Sequence, residues 1–273
     1  MGRFHRHDDG TVHSHDHEHP GHHDHDHDHD HDHGDHSSYR TGSQRIDVLE
    51  SIFAENDTLA DANRAAFESN GIRTLNLMSS PGSGKTTVLQ ATLDELAGEF
   101  AIGVIEGDIA TDLDAAKLRG RGAQVSLLNT SNGFGGECHL DAPMVNRALP
   151  GLDLPELDLV IVENVGNLVC PAEFDVGEHA KAMVYSVTEG EDKPLKYPAM
   201  FRSVDVVLLN KIDLVPHLVP HPDVDPDTYI DTYIAHVREV NATATILPVS
   251  ARTGAGMAAW YGWLRRFAGE SAD

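Results

Sequence analysis

Three stretches of this sequence hold residue types at spacings that suit specific chemistry. SSPGSGKT, residues 79–86, fits the phosphate-loop pattern G-x-x-x-x-G-K-[ST] except that Ser79 stands at the first glycine. Gly82, Ser83 and Gly84 would let the backbone wrap an anion with its N–H groups at a helix N-terminus. Lys85 would reach the β and γ phosphates, and the Thr86 hydroxyl, with Thr87 beside it, would face Mg²⁺. NKID, residues 210–213, matches the guanine-specificity pattern N-K-x-D. Asp213 would accept two N–H bonds from the guanine edge, a pair of donors that adenine lacks. Asn210 would contact the opposite side of the base, and Lys211 would lie along the ring. Ser250-Ala251 follows a further strand and resembles the loop that backs such a base. GTP rather than ATP is the expected nucleotide.

The third stretch is GGECHLDAP, residues 135–143, where Cys138 stands beside His139 in a Gly-rich loop. The only other cysteine, Cys170, follows ENVGNLV. Glu163-Asn164-Val165-Gly166 sits where a nucleotide switch shows D-x-x-G. There the acid, Glu163, orients Mg²⁺ or its water, and the Gly166 N–H senses the γ-phosphate. Glu for Asp adds a methylene and favours a water-mediated contact. Asp108 is the candidate for a second magnesium-side carboxylate, with Asp112 as its rival. A lone cysteine is usually a small buried hydrophobe. Here one sits with a histidine and the other four residues past Gly166, on a segment that should move when the γ-phosphate is lost. Cys138, His139 and Cys170 form a soft N/S set suited to Ni²⁺, with Zn²⁺ possible at the same site. Three ligands are few for a closed site, so a two-fold dimer would supply the set twice.

These residues need a scaffold, and the flanking patterns describe one. Leu75 to Met78 reads as a strand running into the phosphate loop, with a helix from Lys85. Further strands end at Glu106 or Asp108, at Glu163, and after Val204 to Leu209. Strand ends on one side of an α/β sheet are where ligand chemistry belongs. The expected fold is an α/β P-loop NTPase, a mostly parallel sheet flanked by helices. Residues 44–273 form the GTPase domain, and its first segment is an amphipathic helix with Ile46, Leu49, Ile52 and Phe53 at helical spacing, open to a break near Asn56 and Asp57.

Residues 1–43 read as a disordered tail and linker. The first 36 residues hold 14 of the 19 histidines, largely in His-Asp alternation, and His22, His23, His25, His27, His29, His31 and His33 are candidate ligands for weak, multi-site metal binding. The whole chain of 273 residues carries a formal charge of −24, which disfavours nucleic acid as a partner. Two cysteines make no disulfide framework, and no apolar run approaches the ~20 residues of a membrane span. The expected setting is cytoplasmic, away from membranes.

NLMSSPGSGKTT, ECHLDAP, VENVGNLVCP, SVTEGEDKPLKYP and NKIDL together resemble the hydrogenase nickel-incorporation GTPases, the HypB family of the SIMIBI class, from about Gln44 to Phe267. The resemblance implies a homodimeric GTPase that delivers Ni²⁺ to the precursor of the [NiFe]-hydrogenase large subunit, with a zinc-binding hydrogenase accessory protein as partner. It maps the metal ligands onto Cys138, His139 and Cys170. No residue is placed as a catalytic base, so intrinsic turnover should be slow, with Lys85, Thr86, Asp108 and Glu163 as its working groups. Two features depart from the family and its class. The N-terminus lacks the cysteine motif of some members, and Ser80 replaces the extra phosphate-loop lysine of the partitioning-type ATPases. Two alternatives remain: a urease-type nickel accessory GTPase, whose Cys-Pro-His motif is matched here only as Cys170-Pro171-Ala172, and a nickel storage protein.

Overall fold

The computed structural model describes residues 3–6, 12–15, 41–107, 112–128, 139–219 and 225–269, with side chains from Glu50 onward except at 112–115. The chain divides into two compact units, Met1–Glu55 and Asn56–Asp273. In the first, β1 (Arg3–Arg6) pairs antiparallel with β2 (Val12–His15), Arg3 opposite His15. The tail histidines His22 to His33 lie outside the described residues.

Helix α1 (Thr41–Ser69) runs without the break that the sequence allows near Asn56. Asparagine disfavours helix interiors because its side chain competes for nearby backbone. Here the Asn56 amide is buried and used elsewhere: Nδ2 donates to the Asp175 carbonyl at 2.9 Å and Oδ1 accepts from the Ala142 N–H at 2.9 Å. With no local competition left, the helix continues.

The second unit is built on seven strands: β3 (Arg73–Ser79), β4 (Ile102–Glu106), β5 (Gln124–Leu127), β6 (Leu159–Gly166), β7 (Ala180–Ser186), β8 (Val206–Asn210) and β9 (Thr245–Pro248). Their order is β5-β4-β6-β3-β7-β8-β9, and every pairing is parallel. The sheet is thus wholly parallel where a mostly parallel one was expected. Its central strands are buried on both faces, as in a sheet covered on both sides. β6 continues to Gly166, three residues past the expected end at Glu163.

The helices after α1 are α2 (Lys85–Leu96), α3 (Asp112–Arg119), α4 (Ala142–Ala148), α5 (Lys193–Lys196), α6 (Pro198–Arg202), α7 (Val215–Leu218), α8 (Pro226–Val240) and α9 (Met257–Gly269). Strand alternation divides the core. Leu75, Leu77, Leu159 and Ile161 face α2, α3 and α9 through Leu89, Leu93, Leu118, Trp260 and Leu264. Val160 and Val162 face the other side, toward Phe67 of α1 and Met144 and Val145 of α4. Met183, Leu209 and Val207 meet Phe201 of α6 and Tyr233 of α8 on that second side. Among the described residues no helix is long and apolar enough to cross a membrane.

One buried amide ties α1 to this second layer. Asn63, fully buried, donates to the carbonyls of Ala142 and Val176 at 3.0 and 3.1 Å and accepts from Asn146 Nδ2 at 2.8 Å. Buried carbonyls stripped of their donors keep their desolvation cost. Asn63→Ala should therefore lower unfolding free energy by about 2–3 kcal/mol. A denaturant unfolding curve beside the unaltered protein checks this.

Candidate functional site

The site gathers at the C-terminal ends of β3, β6 and β8. β3 delivers Ser79 and Ser80 into a turn that ends at Gly84, the residue before α2. Gly84 holds φ at +99°, and a side-chain Cβ there would stand 2.6 Å from Asn210 Nδ2. Only glycine meets both conditions. A pocket opens over this loop, lined by Ser79, Ser80, Gly82, Lys85, Thr86, Thr87 and Gly166. The Ser83 hydroxyl is buried and has no hydrogen-bond partner among the described residues.

Lys85 and Thr86 meet on one atom. Lys85 Nζ and Thr86 Oγ1 lie 2.7 and 2.8 Å from Glu163 Oε1. Glu163 is fully buried at the end of β6, in register with Glu106 on β4. Its other oxygen, Oε2, is buried and accepts no hydrogen bond among the described residues. A buried carboxylate with one oxygen open, beside a threonine hydroxyl and a lysine, is the donor set that a Mg²⁺-bound phosphate requires. Glu163 and Thr86 therefore fit the expected ion and would hold it or its water shell, while Lys85 would face the phosphates. Asp108, the other expected magnesium-side residue, and the side chain of its rival Asp112 lie outside the described residues. β4 ends at Glu106, the earlier of the two expected positions.

The base end is braced from three directions. Asn210 Nδ2 donates to the Ser83 carbonyl at 2.9 Å, and its Oδ1 accepts from the Ala251 N–H at 3.1 Å. Asn210 thus fastens the phosphate loop to the Ser250–Ala251 loop. Ser250 Oγ donates to Asp213 Oδ1 at 2.6 Å and fixes the carboxylate. Lys211 Nζ donates to the Gly82 carbonyl at 2.6 Å, which ties it to the phosphate loop. Lys211 is also the only non-glycine residue with positive φ among the described residues, at +64°. Such backbone strain concentrates where a side chain must be aimed.

The resemblance puts EDKPLKYP beside the nucleotide site with no derived role, and the structure sets this segment against the phosphate loop. The Ser80 hydroxyl donates to Glu189 Oε2, and Lys193 Nζ reaches the same oxygen at 2.6 Å. Glu189 Oε1 accepts the Ser186 N–H at 2.9 Å. Ser186 and Glu189 form a capping box at the end of β7. That S-x-x-E spacing was readable in the sequence; its contact with Ser80 was not.

The cysteine and histidine segments sit on the opposite side of β6. Cys170 is half-buried in the turn Cys170–Ala172 that follows this strand. His139 is half-buried and packs on Phe174, ring centroids 4.2 Å apart, so it meets the chain just beyond that turn. Burial pushes the His139 imidazole below the usual histidine range, against the opposing pull of Asp141. The neutral imidazole so favoured is the metal-binding form. Asp141 is the N-cap of α4 and accepts the Met144 N–H at 2.8 Å. Cys138 lies outside the described residues, and among those described no three His, Cys, Asp or Glu side chains gather as a metal cluster.

Comparison with known proteins agrees with this geometry. Residues 73–225 match the nucleotide-binding domain model of the CobW/HypB/UreG family. The chain is 47% identical over 231 residues to the hydrogenase maturation factor HypB of Azotobacter vinelandii, covering 85% of this chain and 72% of that protein. The crystal structure of hydrogenase maturation factor HypB from Archaeoglobus fulgidus superposes with a TM-score of 0.69 at 34% identity, covering 79% of this chain and 99% of that one. HypB from Helicobacter pylori, crystallised in complex with nickel, gives 0.68 at 32% identity, covering 78% and 95%.

Gly84→Ala should weaken GDP binding by about 100-fold or more, because the new methyl group must displace Asn210 and adopt a disfavoured φ. Nucleotide titration, with an unfolding curve to confirm that the fold survives, measures the effect.

Proposed function

The chain belongs to the CobW/HypB/UreG family and, within it, to the HypB group, and from that premise we propose that it is a GTP-hydrolysing nickel metallochaperone for [NiFe]-hydrogenase maturation. One observation carries the reading: β6 bears Glu163, which grips Lys85 and Thr86, and runs directly into the Cys170 turn. A displacement of this strand end by the γ-phosphate reaches Cys170 within a few residues of chain.

In this reading Asp213, oriented by Ser250, accepts the guanine N1–H and amino N–H, while Asn210 keeps the loops around the base together. Lys85 and the loop N–H groups neutralise phosphate charge. Glu163 and Thr86 would hold Mg²⁺, which would add to the neutralisation of phosphate charge. Glu163 Oε1 is engaged by Lys85 and Thr86, so among the described residues these groups supply positioning and electrostatics, and in this reading intrinsic turnover is slow. Ni²⁺ is the cargo, held by Cys170, His139 and Cys138, with Zn²⁺ accepted by the same donors. A homodimer supplies the set twice. The hydrogenase large-subunit precursor receives the ion, and a zinc-binding accessory protein assists. The tail histidines serve as a reservoir in this cytoplasmic cycle.

Asp213→Ala should weaken GTP binding by about 100-fold, the loss of two hydrogen bonds to a charged acceptor. ATP binding, already weak, should stay unchanged, and competition titration with both nucleotides separates the two. A chain shortened to residues 37–273 should bind Ni²⁺ tightly with an affinity that differs between GDP and a non-hydrolysable GTP analogue. Cys170→Ser should abolish that site. Nickel binding indifferent to Cys170 and to nucleotide would sink the metallochaperone reading and leave metal chemistry to the tail.

A further inference from the structure

β6 serves both faces of the sheet, and its alternation divides the labour. Glu163 points with Leu159 and Ile161 to the side of α2 and grips the phosphate-loop residues. Asn164, the next residue, points with Val160 and Val162 to the side of α1 and α4. It is fully buried. Its Oδ1 accepts the Leu140 N–H at 2.9 Å and its own neighbour's Val165 N–H at 2.9 Å. Its Nδ2 donates to Asn76 Oδ1 at 3.2 Å, and Asn76 Nδ2 donates onward to Glu178 Oε1 at 3.3 Å. Glu178 is held by the Val176 N–H at 2.7 Å. Both ends of the Asn164 amide are therefore engaged and its rotamer is fixed.

Leu140 directly follows His139. Its side chain is buried and seated on Gly107, at the end of β4, where a Cβ would stand 2.4 Å from a Leu140 methyl. The Gly107 N–H in turn donates to the Glu163 carbonyl at 3.0 Å. Backbone and side chain of Leu140 are thus fastened to the ends of two adjacent strands, β6 beside the phosphate-loop strand β3 and β4 one place further out. Adjacent residues of one strand share a peptide plane, so Glu163 and Asn164 cannot shift independently.

We propose that Asn164 is the positioning residue through which occupancy of the nucleotide pocket reaches the His139 segment, by its hydrogen bond to the Leu140 amide. The route is separate from the covalent one through Gly166 to Cys170. Together they move the histidine and cysteine segments with the same strand end. The proposal deepens the reading above and rests on it for the metal at the far end, whereas the mechanical link can be tested without metal.

The experiment follows amide hydrogen exchange in the full chain with GDP and with a non-hydrolysable GTP analogue. In the unaltered protein the Leu140 amide should change its exchange rate by about five-fold or more between the two nucleotides, the lower end of typical site–site coupling. In Asn164→Ala the difference should vanish while GDP affinity stays within about three-fold. Asn164→Asp retains the acceptor for the Leu140 N–H and should restore the difference. No nucleotide response at Leu140 in the unaltered protein overturns the proposal without need of any variant. An Asn164→Ala response equal to that of the unaltered protein overturns it as well. Added Ni²⁺ tests the underlying reading separately. By linkage it should shift the ratio of GTP-analogue to GDP affinity in the unaltered protein but not in Cys170→Ser. A ratio indifferent to Ni²⁺ removes the metal reading, and the Leu140 response still decides the role of Asn164.

Discussion

Two donors, the Lys85 ammonium and the Thr86 hydroxyl, converge on a single buried oxygen of Glu163. A charge pair this deeply buried is costly to desolvate and holds only where the geometry is good and further hydrogen bonds share the load. The constraint propagates outward. Glu163 must sit at the end of a central strand, Lys85 at the first turn of α2, and the loop between β3 and α2 must be tight enough to bring them together. Gly84 allows that turn, and Asn210 closes against it from β8. The parallel order of β6, β3, β7 and β8 brings these strand ends to one edge, beside the point where the winding of the sheet reverses, as open α/β sheets place their ligands.

The opposite side of the same edge is polar for a different reason. Asn76 and Asn164 are buried on the central strands, where Val or Ile would pack as well. Each amide has a partner at both ends, and the run terminates at Glu178. Burial pushes the Glu178 carboxyl above the usual carboxylate range, and the Lys181 ammonium beside it, at 3.3 Å, pulls the other way. A network of this kind adds little net stability but fixes one arrangement of the loops that close it, since each broken link leaves a buried group unsatisfied. The loops it fixes are the His139–Leu140 step and the Asp175–Glu178 turn, which are joined through Asn56 and Asn63 to α1. The side of the sheet away from α2 is thereby held to the same strand end that grips the phosphate loop.

The Ser186–Pro198 segment adds a third attachment. Ser80 and Lys193 meet on Glu189, so the first turn of the phosphate loop is bonded both to its own sheet and to the chain leaving β7. The lysine arrives at the acceptor of Ser80 from a segment more than a hundred residues away in the chain.

The nucleotide engine was legible in the sequence because its chemistry is local. SSPGSGKT and NKID each gather their functional groups within eight residues, and the short apolar runs before them announce the strands. What the sequence could not give was any partnership between residues far apart in the chain. Asn56 looked like a helix break because its tertiary partners, Asp175 and Ala142, lie about a hundred residues away. Glu189 and Asn164 were ordinary polar residues until the fold set one beside Ser80 and the other beside Leu140. Glycine, proline and lysine at fixed offsets act through backbone geometry that any chain shares, so residue type alone reveals them. A buried amide or carboxylate acts only through the particular donors and acceptors that packing brings to it, and those are decided by the tertiary structure.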